Sequence, residues 1–152
     1  MLDSNAFHWD ISLQLGIGSL WELHGLTDNV APPCSYKEAS IASLAYQSLS
    51  GCSGAIPIEQ SMSSGSNCGH ISENCFDSEL MTPAANGKLS MSMVTLALLE
   101  DLGFQVNYNE AEPFSSDDMK PQCRFNSKRQ VRRILQNNDN TTFYTLLDSH
   151  II

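Results

Sequence analysis

Apolar positions recur three or four residues apart in three stretches of the chain and at mixed spacing elsewhere. In residues 36–49, Tyr36, Ala39, Ala42, Tyr46 and Leu49 share one helical stripe, which Gly51 closes. Residues 89–102 (LSMSMVTLALLEDL) give the clearest pattern. There Met93, Leu96, Ala97 and Leu99 alternate with Ser90, Ser92 and Glu100, and Gly103 stands at the C-terminal stop. Ser127 to Gln136 repeats the stripe more weakly through Val131, Ile134 and Leu135, on a basic background. Residues 7–24 are apolar at mixed spacing (Phe7, Ile11, Leu13, Leu15, Ile17, Leu20, Trp21). Gly16 and Gly18 interrupt them, so a helix is expected to end near Gly16 and to be followed by a turn.

Between these stretches the signals are those of extended chain and loop. Consecutive prolines make APPCS (31–35) a loop. Ala55 to Glu59 reads as a short extended piece with Pro57 at an edge, and FQVNY (104–108) as a short strand or extended segment. The segment SMSSGSNCG is a polar loop of the kind that carries sites. Residues 51–88 as a whole show little periodicity, and irregular loops beyond about 12–15 residues are uncommon unless functional. The expected fold is mainly α with long irregular loops, an α+β fragment.

The length of 152 residues accommodates one domain and a tail, and a hydrophobic fraction of 41% is enough for a small core. No apolar run approaches the roughly 18 residues that span a bilayer. Met1-Leu2-Asp3-Ser4-Asn5 has neither the basic nor the apolar part of a secretory signal. A net charge of −9 argues against a nucleic-acid partner, because phosphate is repelled over most of the surface. Basic residues are concentrated late: Lys37 and Lys88 alone precede Lys120, Arg124, Lys128, Arg129, Arg132 and Arg133. That asymmetry, with the Pro, Ser and Asp cluster PFSSDDMKP, divides the chain into residues 1–114 and a basic, then polar, tail over 115–152. The ordinary role of such a tail is a solvated face.

Five cysteines (Cys34, Cys52, Cys68, Cys75, Cys123) include no CxxC and no zinc-ribbon spacing. An oxidising compartment predicts two pairs and one leftover, with Cys34–Cys52 and Cys68–Cys75 the expected pairs and other connectivities open. A reducing compartment would leave all five as buried thiols.

Candidate chemistry concentrates in GHISENCFDSELMT, from Gly69 to Thr82. A loop histidine can give an imidazole nitrogen to zinc, and a methionine in a tight turn can floor such a site. Taken alone, His70 reads as an ordinary hydrogen-bonded histidine and Met81 as core filler. In context the block resembles the leishmanolysin-type zinc metallopeptidases of the metzincin group. Their third zinc histidine lies in a Gly-His-Trp stretch and their Met-turn reads Glu-Leu-Met-Thr, as in Glu79-Leu80-Met81-Thr82. His70 and Met81 stand eleven residues apart, the family's usual interval. LSMSMVTLALLEDLGFQVNY resembles the helix and strand after that turn, and YKEASIASLAYQSLSGCSGAIPIEQ the stretch upstream of the histidine. LGIGSLWELHGL (15–26) resembles the segment that directly follows the zinc-binding helix.

The resemblance covers about residues 7–114 and implies a zinc metalloendopeptidase acting on proteins or peptides, secreted or held at the cell surface. It makes the chain the C-terminal subdomain of a metzincin-like catalytic domain. His70 becomes the third zinc ligand and Met81 the Met-turn methionine, with the His70 imidazole facing the start of the 7–15 helix and Met81 beneath it. The family's active-site helix carries His-Glu-x-x-His just before the LGIG-like stretch. Counted back from Leu15, its histidine slots fall on Trp9 and Leu13 and its glutamate slot on Asp10. Trp9 and Leu13 cannot ligate zinc. His8 is one residue out of register, a turn of about 100° around a helix. Asp10 can accept a proton on a side chain one methylene shorter than glutamate, and Ile71 stands where the family has tryptophan. His24 lies beyond the two glycines. Two further readings stay open: a catalytically inactive relative that binds partners through the loop face, and an unrelated acidic scaffold.

Overall fold

The computed structural model describes residues 14–29, 31–60, 66–84 and 89–125 of the chain. Its first described helix, α1 (Ile41–Ser50), starts where the Ser40 side chain accepts the Ser43 N–H and stops at Gly51, whose φ of 70° only glycine adopts readily. The sequence stripe had placed its start at Tyr36. Tyr36 instead forms an antiparallel bridge with Thr27, and the helix waits for the Ser40 cap.

Helix α2 (Glu73–Phe76) is a single turn between His70 and Met81. Helix α3 (Met93–Asp101) begins at Ser92, whose hydroxyl accepts the Val94 N–H. It begins later than the predicted residue 89 because Ser90 is held in a parallel bridge with Glu79. Val94, Thr95, Leu96, Ala97 and Leu98 are all buried, so α3 is enclosed on more than one face.

The two longer helices pack on each other and are locked by Asp101. Its carboxylate accepts the N–H groups of Ile41 (2.8 Å) and Ala42 (3.0 Å) and the Tyr36 hydroxyl (3.1 Å). An acid at the C-terminal end of α3 opposes that helix's dipole. Here it serves the positive N-terminal end of α1, which explains its presence. The negative Asp101 and burial together push the Tyr36 hydroxyl pKa well upward, burial being the larger cause.

Of the two forms expected over 104–108, no paired strand is formed, and Asn107 is extended (φ −112°, ψ 101°). The Phe104 N–H turns back to Leu99 O, Gly103 has φ 93°, and Tyr108 opens a 3₁₀ turn over Tyr108–Glu110. The expected extended piece at 55–59 is present in part, with Ile58 bridged to Ile71. The predicted helix over 127–136 lies outside the described residues, as does the predicted helix ending at Gly16 except for the helical residue Gln14 and the turn that follows it.

The disulfides are Cys34–Cys68 and Cys75–Cys123, with Cys52 a half-buried free thiol. Both expected pairs are therefore corrected. Tertiary contacts choose the partners: Gln60 clamps Cys34 from both backbone sides, while Lys120 N–H bonds to Cys75 O and brings Cys123 alongside. Met119 is buried, and Lys120 pairs with Asp77 at 2.9 Å, so residues 119–123 are stitched to the body.

The fold thus consists, among the described residues, of a few helices, little strand and irregular loops around a core that includes Ile17, Trp21, Tyr36, Phe76, Leu89 and Leu98. Trp21 and Tyr36 stack edge to face at 5.0 Å in that core. No described helix is long and apolar enough to cross a membrane.

Candidate functional site

Four short extended stretches lie side by side around His70. Residues 57–59 pair with 70–72: Glu59 N–H bonds to His70 O at 2.9 Å and Ser72 N–H to Pro57 O at 3.0 Å. On the other side, Ile71 N–H reaches Met81 O at 3.2 Å. Leu80 N–H then bonds to Ser90 O at 2.9 Å, which ties the turn to the entry of α3. The residues between His70 and Met81 close back on themselves through α2, so Met81 is hydrogen-bonded to Ile71, the residue after His70. Both are buried, His70 at 6% exposure and Met81 at 0%.

The His70 imidazole is oriented by the backbone. Its Nδ1 lies 3.2 Å from Ser66 O, and a carbonyl can only accept, so Nδ1 carries the proton. Nε2 is then the basic nitrogen, the arrangement used by metal-ligating histidines. Burial lowers the imidazole pKa below its usual value, while the Ser66 carbonyl and the nearby Glu59 carboxylate oppose that shift. Burial thus favours the neutral ring, the form a metal ligand takes.

Two acids brace the loop through its backbone. Glu59, buried, accepts the Glu73 N–H at 3.0 Å and the Gln60 N–H at 3.1 Å. Glu73 in turn accepts the Ala84 N–H at 3.3 Å, just past the 79–82 turn. The Cys34–Cys68 bond anchors the same loop two residues before His70, and Cys75–Cys123 anchors it after.

The 14–25 turn closes the arrangement from the N-terminal side. Gly18 has φ 81°, and a Cβ built on it would stand 2.1 Å from Gly69 O, so two backbones touch directly beside His70. The turn after the predicted N-terminal helix is thereby placed against the residue preceding the histidine.

The sequence-predicted site residues divide accordingly. His70 and Met81 lie on paired stretches, joined by the Ile71 N–H to Met81 O bond. His8 and Asp10 lie outside the described residues, as do the Trp9 and Leu13 slots. His24 is exposed on the turn. Glu59, Glu73 and the Gly18–Gly69 contact carry no motif signal, and Glu79 is marked only as the first residue of the Glu-Leu-Met-Thr stretch. A buried acid in a turn gives no periodic signal, and two glycines about fifty positions apart announce no contact.

Among the described residues no group of three or more His, Cys, Asp or Glu side chains could hold a metal ion. The tautomer, burial and backbone support of His70 suit one corner of a zinc site. The described donor set does not make up a whole one.

A family model described as leishmanolysin, Peptidase M8, matches residues 43–145. Comparison with curated proteins and with solved structures returned no match.

Proposed function

Because the chain belongs to the leishmanolysin family of peptidases, we propose that it carries the third-ligand side of a zinc metalloendopeptidase site that cleaves protein or peptide substrates. In this reading residues 1–114 are part of a metzincin-like catalytic domain, its C-terminal subdomain, and 115–152 form a tail. His70 is the third zinc ligand, Met81 is the methionine of the Met-turn, and Asp10 occupies the slot of the general base. The observation that carries the reading is the convergence at His70. The Gly18 backbone touches Gly69 on one side, and Ile71 bonds to Met81 O on the other. Three segments that each resemble the family in sequence thus lie next to one another, which supports the reading.

Zinc, when bound in such a family site, acidifies a water and polarises the peptide carbonyl. This chain's own contribution is the neutral, backbone-oriented imidazole and the buried turn next to it. Two disulfides agree with the extracellular or surface setting of the family, since such bonds persist in oxidising compartments.

Trp9 and Leu13 favour a second reading, a catalytically inactive relative that binds partners, because neither side chain offers zinc a lone pair. His8, out of register, does not restore the pair.

Repairing the helix separates the two. Trp9→His with Leu13→His places imidazoles at i and i+4 on one helical face, and Asp10→Glu sets the base between them. The repaired chain is expected to bind zinc tightly and the parent weakly, with His70→Ala abolishing the gain. Equal zinc binding by parent and repaired chain, or binding indifferent to His70, refutes the assignment of His70.

A further inference from the structure

Glu79 is 0% exposed, although it opens the turn that carries Met81. Its Oε2 accepts the Met81 N–H at 2.6 Å. Its Oε1 accepts the hydroxyls of Ser92 at 2.7 Å and Thr95 at 2.5 Å. Ser92 is also the N-cap of α3 and Thr95 lies in its first turn, so one carboxyl joins the 79–82 turn to the start of the core helix. The backbone of Glu79 is fixed as well, by the Thr82 hydroxyl at 2.9 Å and by the bridge to Ser90.

An acid is a costly way to fill a core, and none of these partners carries a charge that would repay its burial. An apolar side chain would fill the same space but could not hold the Met81 N–H. What the carboxyl adds is geometry: it ties three groups from two elements to two oxygens.

We propose that Glu79 is the positioning residue of the candidate site: its carboxyl clamps the Met81 backbone to the N-terminus of α3 and so sets the register of Met81 against Ile71, beside His70. The proposal rests on the reading of His70 and Met81 as the metal side of a peptidase site. The two hydroxyl partners suit the role, because a hydroxyl donates to a carboxylate and accepts from a carboxylic acid. The clamp therefore holds in either protonation state. By the same logic a glutamine should replace it, with its oxygen on the Met81 N–H and its amide protons on the hydroxyl oxygens.

Amide hydrogen exchange of the full chain tests the clamp. In Glu79→Ala the Met81 and Ile71 amides should exchange about tenfold faster relative to Ala45 and Tyr46 in α1, and Glu79→Gln should restore both to within about threefold. A uniform acceleration in turn and helices alike would mean a general stabilising role and overturn the proposal, as would unchanged exchange at Met81 and Ile71. If Glu79→Ala does not fold, Thr95→Val removes one hydroxyl at constant shape, and the same selective loss at Met81 is required.

A second arm uses the repaired chain carrying Trp9→His, Asp10→Glu and Leu13→His. There Glu79→Ala should weaken zinc binding about tenfold, the scale of a lost supporting contact, and Glu79→Gln should recover it. If the repaired chain takes up no zinc whatever stands at position 79, the peptidase-site reading fails, while the exchange result still decides the clamp.

Discussion

Substituting Gly18 by alanine tests whether the site is built by backbone contact. The added methyl would lie 2.1 Å from Gly69 O, 2.8 Å from its carbonyl carbon and 2.9 Å from its Cα. These are main-chain atoms, so no rotamer change relieves the overlap, and ordinary contact lies more than an ångström further out. Gly25 supplies the control, since it has φ 63° and nothing within 4 Å of its built Cβ. Gly25→Ala should cost about 1 kcal/mol, the left-handed penalty less the entropy saved in the unfolded chain. Gly18→Ala carries the same backbone term plus overpacking of about 1–3 kcal/mol, for a total of about 2–4 kcal/mol. Urea denaturation followed by far-UV circular dichroism measures both. Imidazole resonances of His70 should move in Gly18→Ala and stay in Gly25→Ala. If the two variants cost the same, or the His70 signals do not distinguish them, the close approach at Gly69 does not hold the loop and the argument is wrong.

Asp101→Ala should lose about 2–3 kcal/mol in the same assay, because the N-terminus of α1 loses two acceptor contacts, whereas Tyr36→Phe should lose only about 1 kcal/mol. Opening the Cys34–Cys68 span of 34 residues by the double change Cys34→Ser and Cys68→Ser should cost about 4 kcal/mol of loop-closure entropy. Burial holds the Glu79 carboxyl above its ordinary 4.5, so folding favours its protonated form. Its share of stability is whole below that ordinary value and is lost as pH rises through the folded pKa. Glu79→Gln should flatten the denaturation midpoint across that range, and an unaltered slope would assign it to another group.

How far the chain could be read in advance follows from which interactions are local. The middles of α1 and α3 were visible because three- and four-residue spacing is a local property. Their starts were not, since Tyr36 and Ser90 are recruited into bridges with Thr27 and Glu79, outside the three- and four-residue window that a helical pattern reads. The block from His70 to Met81 stood out by motif and spacing, yet the contact between them passes through Ile71, which the motif reading noted only as a departure. Glu79 was quoted as part of the motif, but nothing in an acid flanked by Ser78 and Leu80 announces full burial. Cysteine partners are hidden for the same reason: Cys34 meets Cys68, not the nearer Cys52, because residues 57–59 pair with 68–72 while Gln60 holds Cys34.

The two disulfide spans, 34 and 48 residues, follow one another without interlacing, and His70 falls in the short interval between them. Both partners of the first cross-link are therefore made before Cys123, and neither bond requires threading. The hazard along that route is Cys52, which is made before Cys68 and sits at roughly half its distance from Cys34. Halving a loop lowers its closure cost by about 0.6 kcal/mol, so Cys34–Cys52 forms first and about threefold faster in an unstructured chain. Maturation then depends on shuffling that early bond once residues 57–60 have found 68–72. Oxidative folding of this chain thus calls for an isomerase as much as for an oxidant.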